Sequence, residues 1–343
     1  MKVAMYYNNH KVTIEDRPIP RPGPREILVK TKACGVCVSD TMEWYLIPRS
    51  PLPRGHEVTG VIEELGSEVY GFKVGDPIVS HHHVPCFTCD QCLRGDYTLC
   101  QKYKTSNIVP GGFSEYFIVP EDNVRFDTLR LPAGVSFEAG TLVEPLACVI
   151  HAIHKASIEQ TDRVVLIGTG LMGMLFIKAL KNLGVNDLIV YEILEWRRQK
   201  ALESGANHVY SPFSDTEEEK NRIKFTFGGK EATKVIVATK DLRAIESGIK
   251  LAGPGGTVLL FATPEPNEWI KLFPSEVFFN ELTVTSSYSA NHLDTREALD
   301  LLDKGIINGD EFITHEFPLE RLSDAILQTA SRDKSLKCIV SFR

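Results

Sequence analysis

Arg163-Val-Val-Leu-Ile-Gly168-Thr-Gly-Leu-Met-Gly173 decides how this chain folds. Four apolar residues, three of them β-branched, read as a buried strand, and the glycines that follow open a helical stretch running to about Leu183. Gly168 permits a tight turn, Gly170 lets backbone approach a pyrophosphate, and Gly173 allows close packing of the helix. With Leu171 and Met172 in the first turn, the helix start offers unpaired N–H groups to phosphates. Glu192 follows the next strand candidate, Leu188–Tyr191, where a carboxylate can accept hydrogen bonds from adenosine ribose hydroxyls. That carboxylate would repel a 2′-phosphate and favours NAD, while Arg197 and Arg198 keep NADP open.

Outward from this stretch, strand candidates at 234–238, 257–261 and 282–285 alternate with helix-like segments, as a doubly wound parallel sheet requires. Upstream the pattern differs. Short β-rich runs at 26–31, 56–63, 77–80 and 116–119 are punctuated by Pro and Gly, the mark of an irregular β-rich domain. A helical stretch from Arg296 to Leu302 and a last strand from Leu336 to Phe342 do not extend the parallel series and are expected to return to the first domain. The expected organisation is an α/β chain with a catalytic domain of residues 1–153 completed by 293–343, and a dinucleotide-binding domain of 154–292. The acidic run from Ser214 to Lys220 reads as a solvated helix face, and the apolar run from Glu281 to Ser287 as the last strand of the nucleotide-binding sheet or a pairing surface.

The chain has 343 residues, 43% hydrophobic and 24% charged, which suits two domains with their own cores and a soluble, folded protein. A formal net charge of −7 provides no basic footprint for nucleic acid. No apolar run is long enough for a transmembrane helix, and the N-terminal residues offer no signal-peptide core, so no membrane partner and a cytoplasmic location are expected.

Four of the eight cysteines, Cys86, Cys89, Cys92 and Cys100, fall within fifteen positions. Two-residue gaps let successive thiolates turn toward one tetrahedral Zn²⁺, and four protein ligands leave no place for substrate. The reading is a structural zinc site. An iron–sulfur cluster is the rival, with the long last gap and the absence of Pro after Cys100 against it. Metal-bound thiolates fit a reducing compartment. Further upstream, Cys37, Ser39 and Asp40, then Gly55-His56-Glu57, then Glu144-Pro145 supply the donors from which a catalytic zinc with one open position is built.

These motifs, in this order, together with Gly111-Gly-Phe-Ser-Glu-Tyr116, resemble the zinc-dependent medium-chain alcohol dehydrogenase superfamily over essentially the whole chain, and within it the sorbitol (polyol) and threonine dehydrogenase branch. The resemblance implies a β-rich GroES-like catalytic domain and a Rossmann domain. It also implies NAD, two zinc ions per chain and a homodimer or homotetramer. Cys37 and His56 match catalytic zinc ligands, and Glu57 matches a carboxylate that ligates or stands just behind. Glu144 matches the residue that replaces a third cysteine ligand. Ser39 matches the hydroxyl that takes the alcohol proton, and Asp40 a partner of His56. Cys34, Cys148 and Cys338 are left to the core.

The chain departs from the family at Met42, where many relatives carry a relay histidine. His81, His82 and His83, or Glu43, are the substitutes the sequence offers, although the triplet also reads as a polar strand end near the surface. Trp44 and Tyr45 match pocket residues of the polyol branch or line the core. The implied reaction is reversible oxidation of a secondary alcohol of a polyol, cyclitol or sugar to a ketone, with hydride passing to NAD. Threonine is the alternative substrate, and a catalytically silent NAD- and zinc-binding regulator the alternative of another class.

Overall fold

The computed structural model describes residues 1–212, 215–331 and 334–342. Two compact units divide the chain: Met1–Ala147 with Ala290–Arg343, and Cys148–Ser289. Both boundaries lie a few residues before those the sequence suggested. The first falls inside a continuous helix, Val143–Lys155, which runs on unbroken past Pro145 in its first turn.

In the first unit a hairpin of β1 (Lys2–Asn8) and β2 (Lys11–Asp16) precedes β3 (Ile27–Val36), β4 (Leu52–Pro53), β5 (Glu57–Leu65), β6 (Pro77–His81), β7 (Tyr116–Val119) and β8 (Thr128–Arg130). β1 lies between β2 and β4 in a small antiparallel sheet. β3 is the centre of the larger sheet, pairing with β5 and, over Ile27–Lys30, with β7. β5 pairs β6 and β6 pairs β8, all antiparallel. Val29, Ile62, Ile78, Phe113 and Phe117 pack as its core.

The second unit holds β9 (Arg163–Ile167), β10 (Asp187–Tyr191), β11 (His208–Tyr210), β12 (Ala232–Val237), β13 (Ala252–Leu260) and β14 (Thr283–Ser286). Every pairing is parallel, in the order β11-β10-β9-β12-β13-β14. The chain thus winds outward from β9 in both directions, and the strand order reverses between β9 and β12, where such sheets open a ligand crevice at their carboxyl ends. Val165, Ile189, Val235 and Val258 are fully buried within it. The helix Leu171–Leu183 ends at Gly184, whose φ of +91° lets its N–H cap the carbonyls of Leu180 and Lys181.

The chain then re-enters the first unit through the helix His292–Asp303, β15 (Ile313–Phe317) and β16 (Lys337–Ser341), which lies antiparallel to β3. The return expected from the sequence therefore takes the form of a strand added beside the central one. Of the acidic run, Ser214 lies outside the described residues. Glu217 and Glu218 are exposed in the helix Thr216–Thr226, but Glu219 is buried, so that face is only partly solvated. Among the described residues no helix is long and apolar enough to cross a membrane.

Candidate functional site

The site in the first unit is built on the turn that follows β3. Cys37 caps the short helical turn Val38–Thr41, and the N–H of Ser39 donates to Cys37 Sγ at 3.5 Å. Asp40 closes the cap: its Oδ2 accepts the N–H of Cys37 at 3.0 Å. Its Oδ1 accepts Arg54 Nε at 2.9 Å and Nη2 at 2.6 Å. Burial works to raise the Asp40 carboxyl, but the Arg54 guanidinium and then His56 outweigh it and hold Asp40 below the usual carboxylate range. Asp40 therefore acts on His56 through its charge, its oxygens being taken by Arg54 and Cys37.

His56 reaches the same place from the start of β5. Gly55 before it has φ +99°, and a Cβ there would collide with the backbone of Phe113. The N–H of Phe113 donates to Arg54 O at 2.9 Å and that of Gly112 to Gly55 O at 2.8 Å, which is how the Gly111-Gly-Phe run fixes the histidine. Cys37 Sγ and donor atoms of His56 and Glu57 all lie within 4.8 Å of one another. Burial opposes charge on His56, yet its hydrogen bond with Cys37 and the charges of Cys37, Asp40 and Glu144 raise it to about 10. A cysteine sulfur, an imidazole and a carboxylate brought to one place are the donor set that zinc takes, so these residues fit a zinc ion.

Glu57 is 2% exposed and forms a buried ion pair with Lys337, which opens β16 and also donates to Val36 O at 3.3 Å. Burial pushes the Glu57 carboxyl up against the opposing Lys337. Burial also works to lower Lys337, but Glu57 and Cys37 hold it up. Lys337→Met is expected to destabilise the protein by about 3–5 kcal/mol, because it leaves one buried carboxylate without its partner. A fall in the denaturation midpoint measures this, and Lys337→Met with Glu57→Gln should recover most of it. A midpoint unchanged by Lys337→Met alone would contradict the pairing.

Of the histidine triplet, His81 is buried, because β6 ends there opposite Glu57, while His82 and His83 are half-buried. His81 Nδ1 lies 3.0 Å from Asp127 Oδ2, and Asp127 Oδ1 accepts the hydroxyl of Thr295 at 2.5 Å. The His82 ring centroid is 4.9 Å from that of His56. His83 Nδ1 is 2.6 Å from Ser106 O, and burial, with the charge of His81, pushes it down to about 3. Glu144, at the start of the helix Val143–Lys155, brings its carboxylate within 4.8 Å of donor atoms of both His81 and His82.

Sequence reasoning missed Asp127, Thr295, Arg54 and Lys337. The signal for Lys337 was a lysine opening an otherwise apolar strand, Cys-Ile-Val. Of the other expected residues, Glu43 accepts the N–H of Asn9 at 3.0 Å, and Met42 occupies the cap between two short helical turns. Trp44 meets Tyr45 edge-on at 5.7 Å, and Tyr45 is exposed under the Arg49 guanidinium, so Tyr45 does not line the core. Cys34 and Cys338 are buried, whereas Cys148 is only half-buried.

The four remaining cysteines form a lobe of their own. Thiolates about 2.3 Å from a tetrahedral zinc stand about 3.8 Å apart. Cys86 Sγ and Cys92 Sγ are 3.9 Å apart, Cys89 Sγ and Cys92 Sγ 3.5 Å, and all four sulfurs lie within 4.8 Å of one another. No disulfide joins any of them. The side chain and backbone N–H of Thr88 and the backbone of Cys89 bring the Cys86 thiol down to about 5, toward the ligating thiolate. These residues also fit zinc.

In the second unit, Gly168 has φ +94° and its N–H donates to Tyr191 O at 2.8 Å. A Cβ on Gly173 would collide with Gly168 O, while over Gly170 the space is open as far as Arg197 Nη1 at 3.9 Å. Leu171, Met172 and Gly173 form the first turn of the helix. Glu192 sits just beyond β10, its Oε2 accepting the N–H and hydroxyl of Thr169 at 2.8 and 2.9 Å and its Oε1 the N–H of Leu194 at 2.9 Å. It therefore ties the glycine loop to the second strand end, with three of its roughly four acceptor sites taken. Arg198 is bound to the carbonyls of Glu192 and Ile193, and Arg197 is buried over the Trp196 ring.

A parallel sheet with a dinucleotide fingerprint, joined in one chain to a thiolate–imidazole metal pocket and a four-cysteine lobe, defines a zinc-binding nicotinamide dehydrogenase. Residues 23–127 match the alcohol dehydrogenase GroES-like domain family, and residues 172–304 the zinc-binding dehydrogenase family. A sorbitol dehydrogenase of Halalkalibacterium halodurans is 33% identical across 91% of this chain and 90% of its own length. An Escherichia coli CFT073 alcohol dehydrogenase complexed with NADH superposes with a TM-score of 0.86 at 27% identity, covering 100% of this chain and 99% of its own. A zinc-binding dehydrogenase of Sinorhizobium meliloti 1021 bound to NADP does so with a TM-score of 0.87 at 26% identity, covering 99% of each chain. The chain belongs to the zinc-dependent medium-chain alcohol dehydrogenases, in their sorbitol dehydrogenase-like branch. It is an oxidoreductase that uses zinc and a nicotinamide dinucleotide.

Proposed function

We propose that the protein oxidises a secondary alcohol of a polyol, cyclitol or sugar reversibly to a ketone, with NAD as the hydride acceptor. The observation that carries the reading is the convergence of Cys37, His56 and the buried Glu57 in one pocket, with Ser39 on the same turn as Cys37. Zinc supplies a Lewis acid to the substrate oxygen, and NAD supplies the hydride acceptor. Cys37 and His56 would hold the ion, with a carboxylate from Glu57 or Glu144. The N–H of Ser39 donates to Cys37 Sγ, and the Ser39 hydroxyl would take the proton from the alcohol. Glu57 is steadied by Lys337, and Arg54 neutralises Asp40, so the pocket keeps its shape as the proton leaves. The glycines 168, 170 and 173, with Leu171 and Met172, receive the pyrophosphate, and Glu192 selects NAD by repelling a 2′-phosphate. Cys86, Cys89, Cys92 and Cys100 hold the second, structural zinc.

The relation to a sorbitol dehydrogenase favours a polyhydroxy substrate. NAD⁺ reduction measured with sorbitol, xylitol, galactitol, inositol and L-threonine is expected to show turnover of polyols or cyclitols. Turnover of threonine alone would replace this reading, and silence throughout, with zinc and NAD both bound, would turn it toward the regulator.

We propose as well that the protein is a homo-oligomer. β14 is the exposed edge of the parallel sheet, and Phe278 and Phe279 beside it are 76% and 81% exposed. A second copy covering this edge would remove both from water. Light scattering of the wild type against Phe278→Asp decides it, a monomeric wild type being the adverse result.

A further inference from the structure

We propose that Thr169 is a positioning residue for cofactor choice: its hydroxyl pins the Glu192 carboxylate in place, so that the carboxylate cannot turn aside for a 2′-phosphate. The inference rests on the reading of Glu192 as the residue that selects NAD, and assigns part of that selection to a side chain the glycine fingerprint leaves open. In Gly168-Thr-Gly170 the two glycines have their own duties, and the position between them is free to vary.

Thr169 is fully buried, and its N–H and hydroxyl both donate to Glu192 Oε2, at 2.8 and 2.9 Å. The N–H of Leu194 holds the other oxygen, Oε1, at 2.9 Å. The carboxylate is therefore gripped from two sides, by the loop after β9 and by the turn after β10. Its backbone is fixed as well, since the N–H of Glu192 donates to Tyr210 O at 3.0 Å at the end of β11. Glu192 is 5% exposed, so turning its side chain would leave a buried hydroxyl without its partner and a charged oxygen without its donors. With Oε2 filled by two donors, the remaining acceptor site lies on Oε1, where it can serve a ribose hydroxyl.

Arg198, a cation on the same turn that could answer a 2′-phosphate, is committed elsewhere. Its Nη1 donates to the carbonyls of Glu192 and Ile193 at 2.9 and 2.8 Å, and its Nη2 pairs with Glu195. A 2′-phosphate thus meets a negative charge that cannot move away and that Arg198 cannot offset without giving up those bonds.

Dissociation constants of NADH and NADPH, measured by nicotinamide fluorescence on the zinc-loaded full-length protein, test this without turnover. Thr169→Val keeps the shape of the side chain and removes the hydroxyl. Its preference for NADH over NADPH is expected to fall about tenfold, the scale of one hydrogen bond to a charged group, with NADPH gaining affinity. Thr169→Ser, which keeps the hydroxyl, is expected to retain the wild-type preference. In a Glu192→Gln background Thr169→Val should change the preference no further. Equal losses for the two cofactors in either background would mark a merely structural role and overturn the proposal. Should Thr169→Val fail to fold, Thr169→Ala makes the same comparison. An unchanged preference in Thr169→Val, beside a wild type that favours NADH, would also overturn it and leave selection by Glu192 intact. A wild type that binds NADPH as tightly as NADH would overturn that selection itself, and the role of Thr169 with it.

Discussion

Cys37→Ala is expected to lower kcat/KM by about three to four orders of magnitude while leaving the lobe zinc and the thermal midpoint close to wild type. A metal Lewis acid is worth several kcal/mol of charge stabilisation at a reacting oxygen, and each 1.4 kcal/mol or so is tenfold in rate. Cys37 is the only thiolate among the donors of its pocket and the partner that raises His56 to about 10. Without it His56 reverts toward the state that burial favours, neutral and weakly held, and the field for a cation weakens. The cost in stability stays small because Cys37 is partly exposed, and the turn keeps its Asp40–Arg54 pairing. NAD affinity, measured by nicotinamide fluorescence, should be unchanged, since the glycine loop and Glu192 lie in the other unit. Wild-type turnover by Cys37→Ala would remove the pocket from the mechanism altogether.

Local features of the site were legible in the sequence, and long-range ones were not. The fingerprint at 168–173 and the cluster at 86–100 each complete their geometry within one turn or loop, so spacing alone shows them. Glu57 and Lys337 are 280 residues apart, Thr295 and Asp127 168, and His81 and Asp127 46. Nothing local couples those pairs; only β16 lying against β3 and the helix His292–Asp303 returning to the first unit bring them together. The histidine triplet shows the same limit. Three polar residues at a strand end read as surface until β6 is seen to pair with β5, which places His81 opposite Glu57. Glu192 does something its motif does not say, since it ties the glycine loop through Thr169.

Cys89→Ser is expected to act in the opposite sense from Cys37→Ala, through stability before catalysis. The lobe has almost no hydrophobic core: Cys92, Cys100 and Tyr103 are its buried members, with Cys86, Cys89 and Tyr97 at their margin. So small a cluster cannot offset the entropy of ordering its loop, and the metal must supply the difference. Structural zinc contributes about 10–16 kcal/mol in isolated finger peptides, and losing one of four thiolates forfeits much of it. Metal analysis should therefore find one zinc fewer per chain, with a marked fall in the thermal midpoint. The damage then reaches the active pocket through the base of the lobe, where Ser106 accepts from His83 and from the N–H of Val84. His83 packs on His82 at 3.8 Å between ring centroids, and His82 on His56 at 4.9 Å. Activity should decline with lobe occupancy and be restored by excess Zn²⁺, a rescue that Cys37→Ala cannot show because its missing ligand is the one the reaction uses. A Cys89→Ser protein with unchanged zinc content and midpoint would mean that three sulfurs suffice and that the lobe is held by its packing instead.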